Sequence, residues 1–580
     1  MMIRSFLYYL MVLLGLFLFA FCKNEGRSDL RESSIELGKC VWDKEGVVSC
    51  AHPEAARIGA EILQQGGNAF DAAIAMQWAL AVCYPEAGNI GGGGFMVARK
   101  SDGSYLSLDF RESAPAAAHR AVYLDSDGER IEAKSTDTHY AAGVPGTVRG
   151  LYECHRRLSR MDMPSLIDPA IALAREGFPL TARQARYLNE HAETLRERNG
   201  AGTAFTRSGE WQVGDSLRQE DLAATLERIS QAGEEEFYSG YTAELILAEM
   251  RQAEAWFQAE DLANYRAHWR EPISCDWRGS KVVGMGPPSS GGIALCQLLA
   301  MADLLGLDSL QHNDLNYIHR FVEAQRRVYA DRSEHLGDPD FYAVPVEQLL
   351  DAGYIAARVL DIDLLQASPS AEVLPGQFAG ESMETTHLSL IDAEGNAVAV
   401  TTTLNGLYGS KIVVEGAGFF LNNEMDDFST KAGSPNMFGL IGGEANAVEA
   451  GKRMLSSMTP TIVERDGALF MALGSPGGST IITSVLQTLL NTLHFDMPPD
   501  SAIAAAKFHS QWLPDKVFFE EGRFRGGLLD SLAAMGHTPD SLASLGRMDL
   551  AVIQPDGTRC ACGDLRADNT AAGHRANENP

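Results

Sequence analysis

The sequence predicts a mixed α/β fold in which short strands and apolar helices share one large core, and three observations carry that prediction. Glu384 to Asn405 holds two runs of alternating apolar and polar residues around Asp392-Ala393-Glu394-Gly395-Asn396, the signal of a β-hairpin. Pro53 to Leu63 and Asn68 to Val82 carry helical patterns, the second mostly apolar and rich in small residues, which suits close packing on a sheet. Glycine-rich turns punctuate the pattern: Gly91 to Gly94 opens a strand, and Leu473-Gly474-Ser475-Pro476-Gly477-Gly478-Ser479 turns a strand into a helix.

Length and composition set the bounds. The chain has 580 residues, 45% hydrophobic and 22% charged. Several domains are possible on length alone, and a large core is within reach. The formal net charge of −29 repels phosphates and anionic lipid, so neither a nucleic acid nor a polybasic membrane contact is expected. No repeat at solenoid periods stands out.

In the hairpin, Thr385 lies nine residues before Glu394 and Thr403 nine after it. Without a bulge the two threonines face each other, with Cβ atoms roughly 4.5–5.5 Å apart. The plain reading is that threonine favours strands. The chemical reading needs a base for the hydroxyl, and a chain cut just before a threonine supplies one as its own α-amino group.

Met1 to Phe21 reads as a secretory signal, with Arg4 ahead of an apolar run from Phe6 to Phe21. Cys22 stands at the junction, where bacterial lipoproteins carry their lipidated cysteine, but Phe21 precedes it where those signals prefer a small residue. Lipidation, ordinary cleavage and a permanent membrane anchor all stay open. The nine cysteines form no C-x-x-C, which argues against zinc or thioredoxin-like chemistry. Cys40 and Cys50 are candidates for a disulfide in an oxidising compartment. Cys83 and Cys296 fall in apolar helical patterns as plain core residues. Cys560 and Cys562 are too close to pair comfortably with each other.

Further along, no Lys-Ser/Thr pair follows Gly91 to Gly94, so a phosphate loop is excluded and a tight turn of closely approaching backbones is expected. Tyr105 to Phe110 alternates as a strand and runs into Arg111-Glu112. Gly143 to Thr147 opens a helix, residues 164 to about 270 read mainly as helices, and Pro287 to Gly292 caps an apolar helix through Leu305. Tyr317 to Tyr329 is amphipathic and basic, the pattern of a solvated helix. Ala367 to Glu384 is the best linker candidate. Leu421 to Phe428 clusters carboxylates, and Arg453 to Pro460 places paired serines before a strand. Glu424 and Asp427 lack the histidine or further carboxylate spacing of a metal pair, so no metal is expected. His387 and His509 are read as structural.

These motifs resemble, in the same order from about residue 37 to near the C-terminus, those of the gamma-glutamyltranspeptidases, which are N-terminal nucleophile hydrolases. The match covers Glu86 to Val97, Asp109-Phe110-Arg111-Glu112, Thr385-Thr386-His387, Asp392 to Val400, Thr403-Leu404-Asn405 and the three downstream segments. The resemblance implies a four-layer αββα sandwich, two stacked and mainly antiparallel sheets flanked by helices. It implies a signal over 1–22, a large subunit over 23–384 and a small subunit over 385–580, the two forming one intertwined catalytic domain after self-cleavage between Glu384 and Thr385. Thr385 would attack the Glu384 carbonyl, the ester would hydrolyse, and the freed α-amino group, with a pKa of about 7.7–8.0, would become the base.

The same resemblance implies the roles of the other residues. Thr403 orients Thr385, and the N–H groups of Gly477 and Gly478 form the oxyanion hole. Arg111, with Ser456 and Ser457, holds the donor α-carboxylate through a planar fork suited to it. Asn405, Glu424 and Asp427 hold the α-ammonium; some relatives have glutamine at position 424. Ala432 to Gly443 resembles a lid with Phe438 as its aromatic cover, where relatives often show tyrosine. The implied activity is that of a gamma-glutamyltransferase and glutathione hydrolase, passing the γ-glutamyl group to water or to an amino acid or dipeptide acceptor, with no cofactor. The implied partners are glutathione and other γ-glutamyl compounds, with the membrane reached only through a lipid at Cys22, in a periplasmic or other cell-envelope location. A cephalosporin or glutaryl acylase of the same fold, and a non-catalytic extracytoplasmic amino-acid-binding lipoprotein, stay open as alternatives.

Overall fold

Two antiparallel sheets stacked face to face form the centre of the computed structural model, which describes residues 35–131, 133–254, 256–374, 385–431, 437 and 443–574. The chain divides into Met1–Ile35 and Glu36–Pro580, and the fold is that of the second unit. The signal and Cys22 lie outside the described residues. No helix among the described residues is long and apolar enough to cross a membrane.

Along the chain the strands of the two sheets are β1 (Ile35–Gly38), β2 (Cys40–Asp43), β3 (Val47–Cys50), β4 (Gly93–Arg99), β5 (Tyr105–Asp109), β6 (His268–Arg270), β7 (Ile273–Trp277), β8 (Ser280–Gly284), β9 (Thr386–Ile391), β10 (Ala397–Thr403), β11 (Thr461–Arg465), β12 (Ala468–Gly474), β13 (Asp549–Ile553), β14 (Arg559–Gly563) and β15 (Thr570–His574). The eight-stranded sheet runs β1-β15-β3-β9-β10-β4-β5-β6, and the seven-stranded sheet β2-β14-β13-β12-β11-β8-β7. Helices α1 (Pro53–Gln64) and α2 (Ala69–Cys83) cover the first sheet. Helices α3 (Gly291–Leu304) and α5 (Thr480–Leu493) cover the second, with α4 (Leu315–His335) packed on α3. This is the expected αββα order. Phe95, Val97, Ala397 and Ala399 of one sheet share a core with Ile462, Met471, Leu473 and Leu550 of the other.

The hairpin has the register read from the sequence. Thr386 pairs with Thr402 and Ile391 with Ala397, without a bulge; continued by one residue, this register sets Thr385 opposite Thr403. Alternation in a hairpin ordinarily marks one wet face. Here every residue of β9 and β10 is buried, because α2 covers one face and the second sheet the other. The polar residues are therefore paired internally: Ser389 Oγ donates to the Asp549 carbonyl at 3.1 Å. The hairpin turn docks on a helix end, where the Asp392 carboxylate accepts the Ala69 N–H of α2 at 2.9 Å. The glycine run does what was expected of it. A Cβ at Gly92 would sit 2.1 Å from the Thr403 carbonyl oxygen, and one at Gly94 2.3 Å from that of Thr401.

Four expectations are corrected. Cys40 is bonded to Cys562, not to Cys50, and Cys296 is bonded to Cys275. Cys40 and Cys50 fall on strands of different sheets, whereas Cys562 stands directly across from Cys40. The helix expected to be solvated is α4, and its Arg326, Arg327 and Arg332 are each about 1% exposed. Arg326 and Arg327 are buried with carboxylate partners, Glu323 on their own helix and Asp515 and Asp361 from elsewhere. The supposed linker is packed in its first half: Ala367, Ser370 and Val373 are buried, and the Ala367 N–H donates to the Met535 carbonyl at 2.7 Å. Its second half lies outside the described residues.

Gly94→Ala is therefore expected to cost at least about 1–3 kcal/mol, the range for overpacking a filled core. The measurement is the unfolding midpoint, and a midpoint equal to that of the natural chain would show that β4 and β10 can separate without loss.

Candidate active site

Arg111 leaves the end of β5 with its N–H donated to the Asp109 carboxylate at 2.9 Å. That bond turns the chain so that the guanidinium, 1% exposed, enters the interior. There it meets the carboxylates of Glu424 and Asp427, with Glu112 Oε2 at 3.6 Å from Nη1. Burial works against the Arg111 charge, but Glu424, Asp427 and Glu112 outweigh it, and its proton is held more tightly than in water. Burial pushes the Glu424 and Glu112 carboxyls up, with Arg111 opposing.

The acidic residues sit on a 3-10 turn, Glu424–Asp427, whose entry is fixed by two asparagines. Asn422 Oδ1 accepts the Gly143 N–H at 2.8 Å, and its Nδ2 donates to the Gly91 carbonyl at 2.9 Å. Asn423 Oδ1 accepts the Gly406 N–H at 2.8 Å. Asn446 then ties this turn to the serine turn, donating to the Asp427 carbonyl at 2.6 Å and accepting the Leu455 N–H at 2.9 Å.

Thr385 is 3% exposed at the head of β9. Opposite it, Thr403 Oγ1 accepts the Asn405 N–H at 2.7 Å. Asn405 takes φ 72°, in the left-handed region that asparagine tolerates, and its Nδ2 donates to the Asn423 carbonyl at 3.0 Å. Gly477 and Gly478 have φ of 131° and 55°, a backbone that side chains disfavour, just before α5. Arg111, Thr385, Thr403, Asn405, Glu424, Asp427, Ser456, Ser457 and Gly478 line one cleft, closed by Met458 and Ile481. Gly477 adjoins it in sequence. Glu384 and Phe438 lie outside the described residues.

Sequence reading missed the support behind this cleft. The Ser290 N–H and Oγ both bond the Ser456 carbonyl, at 2.7 and 2.8 Å. Arg332 Nε of α4 donates to Ser290 Oγ at 2.7 Å. Burial lowers Arg332 to about 9 against the pull of Tyr329 and Asp427. Tyr329, one turn earlier, donates its hydroxyl to the Ser479 carbonyl beside Gly478. One helix thus braces both the serine turn and the glycine turn. The signal available was the spacing Glu323, Arg326, Arg327, which pairs charges along one helix; it does not tell a buried pair from a solvated one.

Two histidines stand apart from proton transfer. His387 is bonded to Thr401 Oγ1 and Ser389 Oγ, both at 2.8 Å, and burial lowers it to about 3, so it is neutral. A Cβ at Gly474 would collide with its ring. His509 bonds Thr483 Oγ1 at 2.9 Å and Gln511 at 3.0 Å. One group among the described residues has the reach to hold a metal: His319, Glu323 and His537. Its atoms are already engaged. His537 bonds His319 at 2.8 Å, His319 Nε2 donates to the Asp363 carbonyl at 2.8 Å, and Glu323 accepts from Arg327 at 2.9 Å.

The arrangement offers a hydroxyl, a glycine turn with N–H donors, and a cation beside two anions about a small cleft. It suits a zwitterion whose reacting carbonyl lies a few bonds from its charges. The family model for gamma-glutamyltranspeptidase matches residues 55–574. A glutathione hydrolase proenzyme of Pseudomonas aeruginosa is 45% identical over 517 residues, 88% of this chain and 91% of that one. A gamma-glutamyltranspeptidase from Pseudomonas nitroreducens complexed with L-DON is 43% identical, with a TM-score of 0.53, over 56% of this chain and 96% of that one. A cephalosporin acylase from Bacillus halodurans shares the fold, with a TM-score of 0.80 at 24% identity over 93% of this chain and 97% of that one.

Arg111→Met would leave buried carboxylates without their cation, a loss of about 3–5 kcal/mol. The loss should depend on pH. Glu424 and Glu112 have folded pKa values above their unfolded ones, so folding binds protons. Their contribution is fully present below the unfolded pKa of about 4.3 and is lost as pH rises through the folded values. The deficit of the variant should be smallest near pH 4.5 and grow toward pH 8 in unfolding experiments; a deficit independent of pH would contradict the cluster.

Proposed function

Because this chain belongs to the gamma-glutamyltranspeptidase family, we propose that it is a self-processing gamma-glutamyltransferase and glutathione hydrolase with Thr385 as its nucleophile. The observation that carries the proposal is the gathering of Arg111, Glu424, Asp427, Ser456, Ser457 and Gly478, distant in sequence, around Thr385 in one cleft. In the intact chain the Thr385 nitrogen is an amide and is no base. Attack of Thr385 Oγ on the Glu384 carbonyl moves the acyl group from nitrogen to oxygen, and water hydrolyses the ester. The freed α-amino group then accepts the Thr385 hydroxyl proton. The name proenzyme given to the Pseudomonas aeruginosa relative supports such processing.

Donor binding exchanges one set of charges for another. Arg111 is paired with Glu424 and Asp427; a γ-glutamyl donor inserts its carboxylate at Arg111, Ser456 and Ser457 and its ammonium at Asn405, Glu424 and Asp427. Both halves of the buried ion cluster keep a partner, so neither is stranded in a low-dielectric site. Thr385 Oγ then bonds the γ-carbonyl carbon, and the oxyanion is met by the N–H groups of Gly477 and Gly478, each worth about 2.7–4 kcal/mol in comparable sites. The C–N bond breaks as the amine takes the proton from the α-amino group. Water or an acceptor amine, deprotonated by the same group, attacks the γ-glutamyl ester. Thr403, opposite the nucleophile, orients it. We place the protein outside the cytoplasm, a reading that the two disulfides support.

Purified protein should contain a fragment beginning at Thr385, and Thr385→Ala should remain one uncut chain without turnover. N-terminal sequencing and an anilide assay test both; an intact, fully active natural chain would falsify the assignment. The acylase alternative turns on Asp427, since a glutaryl donor has hydrogen where the ammonium would be. Removing one partner of a buried charge pair costs about 2–5 kcal/mol, and every 1.4 kcal/mol is tenfold. Asp427→Asn should therefore lower kcat/KM for γ-glutamyl anilide by roughly 30-fold or more while sparing glutaryl anilide. A natural enzyme that prefers the glutaryl donor would overturn the transpeptidase reading.

A further inference from the structure

We infer that the processed protein is a covalent heterodimer, its two parts joined by the Cys40–Cys562 disulfide. The inference rests on the proposed cleavage between Glu384 and Thr385. Cys40 lies before that bond and Cys562 after it, 522 residues apart, so cleavage turns an internal bridge into a link between chains. The second disulfide, Cys275–Cys296, spans 21 residues, both before the cut, and joins nothing.

The position of the bridge explains its use. Strand β2 is four residues long and lies at the edge of the seven-stranded sheet, with β14 as its neighbour. Cys40 stands opposite Cys562 and Asp43 opposite Arg559, and the two bridged Cα atoms are 4.2 Å apart. A short edge strand opens readily by fraying, and Trp42 on this one is 55% exposed. Its ladder partner lies beyond the cut, and the bonds made by Lys39 beside it also cross between the two parts. Lys39 Nζ donates to the carbonyls of Asp564, Ala567 and Asn569 at 3.1, 2.7 and 2.7 Å, and the Gly563 N–H donates to the Lys39 carbonyl at 2.8 Å. A bond at this edge holds the separated chains at high effective concentration, however often the strand opens.

The bond forms by thiol–disulfide exchange with an oxidised dithiol catalyst. One cysteine thiolate displaces a sulfur of that disulfide, and the second cysteine displaces the catalyst from the mixed disulfide. Two protons and two electrons leave the cysteine pair, and the catalyst departs as a dithiol. Cys560 Sγ lies 3.7 Å from Cys562 Sγ but does not compete: burial raises its thiol to about 12, so near neutral pH it stays protonated.

The test uses the full chain produced in an oxidising compartment, with free thiols alkylated at lysis, run on denaturing gels with and without reductant. One species without reductant that splits in two with it is the expected result. Cys40→Ser and Cys562→Ser should each give two fragments without reductant, and Cys275→Ser should still give one species. Two fragments in both lanes of the natural protein would overturn the covalent link and leave the cleavage reading intact. One species in both lanes would overturn the cleavage reading, and this inference with it.

Discussion

Arg111 sits where two sheet ends and three loops meet, and it stays charged there because carboxylates surround it. A guanidinium 1% exposed is costly to bury without partners. Glu424 and Asp427 supply them from a turn that lies more than 300 residues along the chain. Much of the local architecture serves to hold that turn: Asn422 and Asn423 fix its entry, and Asn446 ties its backbone to the serine turn. The cluster stabilises the fold, and under the proposed function it is also the recognition device, since a bound zwitterion would replace each internal partner with one of its own charges.

The hairpin brings Thr385, the proposed nucleophile, to this cluster. Burial on both faces of β9 and β10 leaves little freedom at Thr385 and Thr403, which suits a reaction that requires two hydroxyls in a fixed relation. The glycines at 92 and 94 permit β4 and its leading turn to approach closely enough for this, because a methyl group at either would overlap a backbone oxygen. Helix α4 completes the frame from the far side through Arg332 and Tyr329. A buried network of this kind, with its members bonded to one another, rigidifies the groups it supports.

If the chain is cut after Glu384, the sheets become joint products of both parts. In the eight-stranded sheet, β3 and β4 flank the hairpin that begins at Thr385. The interior contacts would survive the cut. Strand β2 lies at an edge with Trp42 exposed, and there the structure has a disulfide between the parts.

The sequence by itself determined the elements whose evidence is local. Hairpin register follows from a side-chain period of two and a short turn, helix α2 from its apolar run, and the close approach at the glycine turn from the absence of side chains. It also determined the motifs, each a few residues long, that the family comparison then joined. Only the tertiary structure decided what depends on distant partners. The arginines of α4 look solvated in sequence and are buried, because Asp515 and Asp361 lie far along the chain. Cys40 looks paired with its neighbour Cys50 and is bonded to Cys562, because pairing follows strand order in the sheet, not distance along the chain. Ala367 to Val373 look like linker, and their burial comes from residues near Asp515 and Met535. The physical reason is the same in each case: burial and bonding are properties of pairs, and local periodicity names only one member of a pair.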